Sequence, residues 1–520
     1  MKISFLLEKA FSLYSKKEAV VCDHKRFTYG QFAERSYRLA NFLKRSGIGK
    51  GDCVAILHHN SNEFLESYFA TAQLGAILNP LNYRLSSGEL AYILKDSRAA
   101  LLITADRFVN EVSSLLNLDT DIHRVLLTGP SNVSSVPFEC FHYEDALKAE
   151  TSTPPSPPEM SDEEIAHLYY TSGTTGKPKG VMLSHKNVCT HALAAIAELK
   201  LCDRDNWIHV APLFHLADAW ATFAVTWIGG KHVVVGDFEP KTVLSIMQKE
   251  KITLTNMVPT MLNILVNTSG VESVDLSSLR VILSGGAPIA PDVVRKIMQV
   301  FKCDYVQTYG MTETSPYLTL SVLKENLIHL SAEEQFFYKA KTGRPFIGVL
   351  LRVVREDGKD VIPDDNEVGE IIVKGDIVTA GYWNKPEETA KVIKNGWLYT
   401  GDMAVMDQDG YVNIVDRKKD MIITGGENVY SVEVEYVLYT HPSLLEAAVI
   451  GVPDPKWGEA VKAVVVLKEG CHLTEEELIQ YCKDRIARYK SPKSVDFISE
   501  LPKTGSGKIY KKGLREKYLP

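Results

Sequence analysis

Apolar residues recur at helical spacing between Gly30 and Arg45, at Phe32, Leu39, Ala40, Phe42 and Leu43, and an apolar-faced segment runs again over 62–74. Both segments predict helices. Between them Cys53 to Leu57 is a short continuous apolar run of the buried-strand type, and 75–81 and 99–104 predict further strands around a helix over 87–95. A Pro/Ser/Thr-rich stretch, 151–158, reads as a surface connector. Strands are then expected at 165–171, 207–210, 232–235, 253–257, 281–283 and 305–308, with helices at 186–198, 242–249 and 291–301. This alternation predicts an α/β fold of sheets with helical cover.

After about residue 340 the texture changes to short strands and turns (349–355, 369–374, 410–415), which predicts a small antiparallel sheet or β-barrel. From about Lys418 the chain has its own helices (432–439, 475–487) and strands (447–452, 460–467), enough for a separate α+β unit of about 100 residues. The expected division is a large N-terminal body over 1–416, with sheets over about 1–340 and the barrel at 341–416, and a smaller C-terminal domain over 417–520. No internal repeat is visible.

Composition narrows the class. The 520 residues are 45% hydrophobic and 24% charged, too apolar for a disordered chain and too long for a disulfide-stapled one. A net charge of −7 argues against an electrostatic nucleic-acid binder. The eight cysteines are scattered with no C-x-x-C pair, which suggests neither a zinc site nor a disulfide framework and fits a reducing cytoplasm. The apolar run from Ile3 stops at Glu8, too short for a signal peptide, and no apolar stretch reaches membrane-spanning length. A soluble cytoplasmic enzyme is the expectation, with peripheral membrane contact and homo-oligomerisation left open.

The strongest local signal is Tyr170-Thr171-Ser172-Gly173-Thr174-Thr175-Gly176-Lys177-Pro178-Lys179-Gly180, set between two strand-like runs. Hydroxyls, glycines and lysines at this density offer a polyphosphate side-chain donors, close backbone approach and positive charge. It is not a Walker loop, because Gly173 and Gly176 are too close and Lys177 is followed by Pro178. The segment resembles the signature loop of the AMP-forming adenylating superfamily, which includes acyl-CoA synthetases, peptide-synthetase adenylation domains and firefly luciferase. Further motifs come in that family's order: Ser284-Gly285-Gly286-Ala287, Tyr309-Gly310-Met311-Thr312-Glu313 after Thr308, Tyr399-Thr400-Gly401-Asp402, Asp416-Arg417-Lys418-Lys419-Asp420, and Pro502-Lys503-Thr504-Gly505-Ser506-Gly507-Lys508.

The resemblance implies roles. The loop from Thr171 to Lys177 holds the triphosphate of ATP, and Glu313 with Thr171 holds Mg²⁺. Gly285, Gly286, Ala287, Thr308, Gly310, Met311 and Thr312 line the nucleotide site, where Tyr309 stacks on adenine and Asp402 and Arg417 bind the ribose. Lys508 is the expected catalytic lysine, bridging the substrate carboxylate and the α-phosphate. Lys419 is the hinge about which the C-terminal domain turns, bringing Gly425-Gly426-Glu427 to coenzyme A for the second half-reaction. Ser431 stands where many relatives carry proline.

The acid is less legible. His215, in Pro212-Leu213-Phe214-His215, matches a pocket-gate position, and Trp220, Gly286 and Gly310 complete the expected acyl pocket. Ala219 to Val225 offers no cation for a second carboxylate, which disfavours a dicarboxylic acid. Asp218 is expected to cap the following helix or to contact a polar group on the acid. The texture over 425–430 and 454–459 looks most like medium- and long-chain fatty acyl-CoA synthetases, with an aryl or hydroxycinnamic acid ligase as the second reading. Transfer to a separate carrier protein and a luciferase-like oxygenation are further alternatives.

Overall fold

The computed structural model describes residues 1–130, 138–171, 177–286, 289, 291–503 and 509–518. Two large sheets organise the N-terminal part. The first has seven strands in the order Glu139–His142, Arg124–Thr128, Ala99–Ala105, Cys53–Leu57, Ile77–Pro80, Ile165–Thr171, Lys179–Ser184, parallel except for the last pair. The second has nine, in the order Arg344–Pro345, Tyr317–Leu320, Asp304–Gly310, Val281–Gly285, Leu254–Met257, Asn206–His209, Lys231–Val234, Glu18–Cys22, Lys25–Thr28. Its middle strands are parallel, and the antiparallel pairs lie at its edges.

Burial shows how the layers stack. Leu254, Leu283 and Val306 of the nine-stranded sheet share one core cluster with Val54, Ile56 and Ile103 of the seven-stranded sheet. The same cluster takes in the helices Ile3–Tyr14, Tyr29–Arg45, Asn62–Leu74, His185–Glu198 and Leu216–Ile228, which therefore form the central layer. Asn62–Leu74 is buried around nearly its whole circumference, as a helix between two sheets must be. Pro240–Lys249, Pro259–Val266 and Pro291–Phe301 cover the outer face of the nine-stranded sheet, and Ser87–Ser97 covers that of the seven-stranded one. Parallel strands buried on both faces explain why the runs at Cys53–Leu57 and Val281–Gly285 are apolar rather than alternating.

The predicted antiparallel unit is a five-stranded sheet: Leu350–Val354, Gly369–Lys374, Trp397–Met406, Ile393–Lys394 and Val412–Arg417. The C-terminal part has its own core, in which Ile422, Val434, Leu438, Val449, Val461, Ala463 and Val465 pack with Leu478 and Val495. That core spans the strands Ile422–Thr424, Glu427–Val429, Leu444–Asp454, Gly458–Leu467 and Ser494–Phe497.

Most expected elements form within a residue or two of their predicted ends. One helix is shorter than expected: Glu475–Lys483 stops before the turns at 484–486, although the sequence predicts it to 487. The helices Ile3–Tyr14, Pro259–Val266, Ala332–Ala340 and Lys511–Tyr518 add to those the sequence predicts. Among the described residues no helix is long and apolar enough to cross a membrane.

Candidate active site

The adjacent parallel strands Val281–Gly285 and Asp304–Gly310 bring two of the motifs together, with Gly285 opposite Thr308. Their carboxyl ends form the edge where ligands bind in open α/β sheets. Glycine is required here by space. A Cβ on Gly285 would collide with the Thr308 hydroxyl, which donates to the Ser284 carbonyl at 3.1 Å. A Cβ on Gly310 would overlap the Pro316 carbonyl oxygen. Gly310→Ala is therefore expected to lose about 3 kcal/mol of stability, read as a lower denaturant midpoint. An unchanged midpoint would contradict this packing. Gly286 follows at φ +88°, exposed beside them. Met311 donates its N–H to the Pro316 carbonyl at 3.1 Å, and Thr312 opens the short turn Thr312–Thr314.

The antiparallel sheet contributes the next group. Asp402 pairs with Arg417 across two of its strands. The Asp402 carboxylate is 2% exposed, accepts from the Tyr309 hydroxyl at 2.6 Å and lies 3.0 Å from Arg417 Nε. Asp402 in turn raises the affinity of the Arg417 guanidinium for its proton. A carboxylate placed between two donors still has lone pairs for hydroxyl groups.

Glu313 is also buried. Burial pushes its carboxyl above the usual carboxylate range, opposed by the Tyr382 hydroxyl, which donates to it at 2.8 Å. Tyr382 arrives because its segment docks on the hairpin of Ile165–Thr171 and Lys179–Ser184: Trp383 N–H donates to the Gly180 carbonyl at 2.8 Å and Met182 N–H to that of Gly381 at 3.1 Å. Lys179 lies over the Tyr382 ring, 5.1 Å from its centroid, and pairs with Glu388. Sequence reasoning misses Tyr382, since a lone aromatic in a loop carries no signal until the two segments meet. Thr171 stands opposite Lys179 at the end of that hairpin, and the exposed Lys177 lies over the Tyr92 ring at 5.2 Å. Ser172, Gly173, Thr174, Thr175, Gly176, Ala287 and Lys508 lie outside the described residues.

Of the residues expected to line the acyl pocket, His215 is half-buried at the start of helix Leu216–Ile228. Trp220, one turn on, is buried, and its indole N–H donates to the Tyr317 hydroxyl at 2.9 Å and the Ala217 carbonyl at 3.2 Å. His191 and Phe346 complete an aromatic wall around Tyr317. Asn256 Nδ2 shares the Ala217 carbonyl.

Asp218 departs from expectation. It lies inside the first turn of this helix, while His215 holds the cap position without a side-chain cap bond. Its oxygens accept from Trp207 Nε1 at 2.9 Å and pair with His209 Nδ1 at 2.8 Å. His209 Nε2 meets His232 Nδ1 at 3.0 Å, and His232 Nε2 meets the Thr226 hydroxyl at 3.0 Å. Asp218, His209, His232 and Thr226 are all fully buried, so this is a closed polar seam between helix and sheet. Asp218 ties the helix down; it neither caps it nor faces an open pocket.

Around the expected hinge, attachments change hands. Lys418 N–H donates to the Gly401 carbonyl at 2.9 Å and its ammonium to Glu370 at 3.2 Å, both in the N-terminal part. Arg515, on the last helix, donates to the Lys419 carbonyl at 3.2 Å and to Asp420 at 2.7 Å. Gly425 and Gly426, at φ +60° and +86°, make the two-residue turn between Ile422–Thr424 and Glu427–Val429, with Glu427 exposed.

Residues 7–383 match the AMP-binding enzyme family, and residues 433–508 match the AMP-binding enzyme C-terminal domain. A feruloyl-CoA synthase from an Amycolatopsis species is 39% identical over 492 residues, covering 94% of each chain. A long-chain-fatty-acid–CoA ligase from Thermus thermophilus is 36% identical over 523 residues, covering 98% of this chain and 94% of the relative. Among solved structures, the anthranilate CoA ligase AuaEII in complex with anthranoyl-AMP superposes with a TM-score of 0.90 at 27% identity, covering 100% of this chain and 97% of that one.

Proposed function

The chain belongs to the AMP-binding enzyme family, and from that premise we propose that its acid is an aryl or arylpropenoic acid. The coarser activity is that of an acid–CoA ligase, which activates a carboxylic acid with ATP as the acyl-adenylate and passes the acyl group to coenzyme A, releasing AMP. The observation that carries the aryl reading is the seam of Asp218, His209, His232 and Thr226. A long alkyl tail running between helix Leu216–Ile228 and the nine-stranded sheet would have to cross these fully buried polar groups. Displacing their hydrogen bonds with methylenes is unfavourable. The aromatic wall of Trp220, Tyr317, His191 and Phe346 suits a flat ring instead. The feruloyl and anthranilate relatives agree with this reading. A medium- or long-chain fatty acid is the second reading, favoured by the Thermus relative.

The residues divide the work. Asp402 and Arg417 hold the ribose, Tyr309 orients Asp402 and offers its ring to adenine, and Thr171 to Lys177 take the phosphates. Mg²⁺ fits the donors: burial disfavours the ionised form of Glu313, which an adjacent cation restores, and Thr171 adds a hydroxyl. When bound, the ion neutralises phosphate charge. Lys508 supplies positive charge as the carboxylate approaches the α-phosphate. Lys419 is the pivot, since the chain passes there from anchors in the N-terminal part to anchors on the last helix. The turn Gly425-Gly426-Glu427 then serves the coenzyme A step.

AMP release measured across benzoate, cinnamate, decanoate and palmitate tests the choice of acid. An aryl acid is expected to exceed palmitate at least about tenfold in kcat/KM. A lead for palmitate would establish the second reading.

A further inference from the structure

Asn256 carries a buried acceptor that no group among the described residues uses. The residue is 3% exposed and its Oδ1 has no partner among the described residues. The other end fixes its orientation: Nδ2 donates to the Ala217 carbonyl, so Oδ1 points elsewhere. Buried polar atoms are normally satisfied, so one left open calls for a donor from outside the described protein groups.

Its position in the sheet says which ligand. Leu254, Leu283 and Val306 face the central layer with Trp220, and strand alternation puts Asn256, Gly285 and Thr308 on that same face. Asn256 is opposite Leu283, one pleat before Gly285 on the neighbouring strand. One pleat along and one strand across amounts to roughly 8 Å. That is about the reach of an arylpropenoic acid from its carboxyl carbon to the far substituent of its ring. The Ala217 carbonyl, shared with the Trp220 indole, joins Asn256 to the aromatic wall.

We infer that Asn256 Oδ1 accepts a hydrogen bond from a hydroxyl at the far end of the acid, which makes the substrate class a hydroxylated aryl acid. The ring rests on the aryl reading above; the hydroxyl rests on Asn256 alone.

The test compares 4-hydroxycinnamate with cinnamate in CoA-dependent AMP release. The wild-type protein is expected to favour the hydroxylated acid at least about tenfold in kcat/KM, because a site built to bond a hydroxyl rejects the analogue that lacks it. Asn256→Leu, of the same branched shape but without the acceptor, is expected to bring the ratio within about twofold. Asn256→Ser keeps an acceptor and is expected to retain part of the preference, which separates lost bonding from lost folding. Equal rates for the two acids in the wild type, or the same ratio in Asn256→Leu, would overturn the assignment. If neither aryl acid reacts while hexanoate does, the aryl reading fails. Asn256 is then judged on 6-hydroxyhexanoate against hexanoate, where an absent preference overturns it as well.

Discussion

Lys508→Ala is expected to lower acyl-adenylate formation about a thousandfold, measured as acid-dependent pyrophosphate release. Two anions meet in that step, and the lysine is the cation assigned to the oxygens between them. Thioester formation from supplied acyl-adenylate is expected to survive largely intact, because the second half-reaction is proposed to use the Gly425-Gly426-Glu427 turn instead. The two half-reactions thus report on different residues. Loss of both to the same degree would remove Lys508 from the adenylation step.

Stability is expected to fall steeply in mild acid. Burial holds His167 and His191 down to about 3 and His185 to about 4. Among the described residues His167 has no partner on either ring nitrogen, His191 none on Nδ1 and His185 none on Nε2. All three are therefore neutral in the native fold and titrate near their ordinary value of about 6.5 when it unfolds. The unfolded chain binds more protons between those values, so stability is complete above about pH 6.5 and is lost as pH falls toward the folded values. Each histidine contributes roughly 1.4 kcal/mol per pH unit in that window, or about 4 for the three together. Denaturant midpoints at pH 7, 6 and 5 measure the slope. His167→Phe is expected to reduce the slope by about one histidine's share, roughly 1.4 kcal/mol per pH unit, since that ring already stacks on Phe223 at 5.3 Å. A midpoint independent of pH across this range would refute the assignment.

The chain's local chemistry determined most of the elements and the order of the motifs. Buried parallel strands leave continuous apolar runs, and a dense run of glycine, hydroxyl and lysine residues has few uses other than phosphate binding. Gly285 and Gly310 are visible as motif letters; their cause, a carbonyl at Gly310 and a hydroxyl at Gly285, becomes visible only when the strands lie side by side. Asp218 shows the opposite case. Its sequence context predicts a helix cap or a pocket group, and the fold instead gives it Trp207 and His209, from a strand that precedes the helix. Tyr382 and Asn256 carry no local signature at all. Each acquires its role through partners far along the chain: Glu313 for Tyr382, and Ala217 with the central layer for Asn256. Sequence periodicity reports which face of an element is buried, whereas hydrogen-bond partners across elements depend on register and layer packing. The fold class and the ATP-dependent chemistry were therefore written in the sequence, and the buried partners of Asp218, Tyr382 and Asn256 were decided by the tertiary structure.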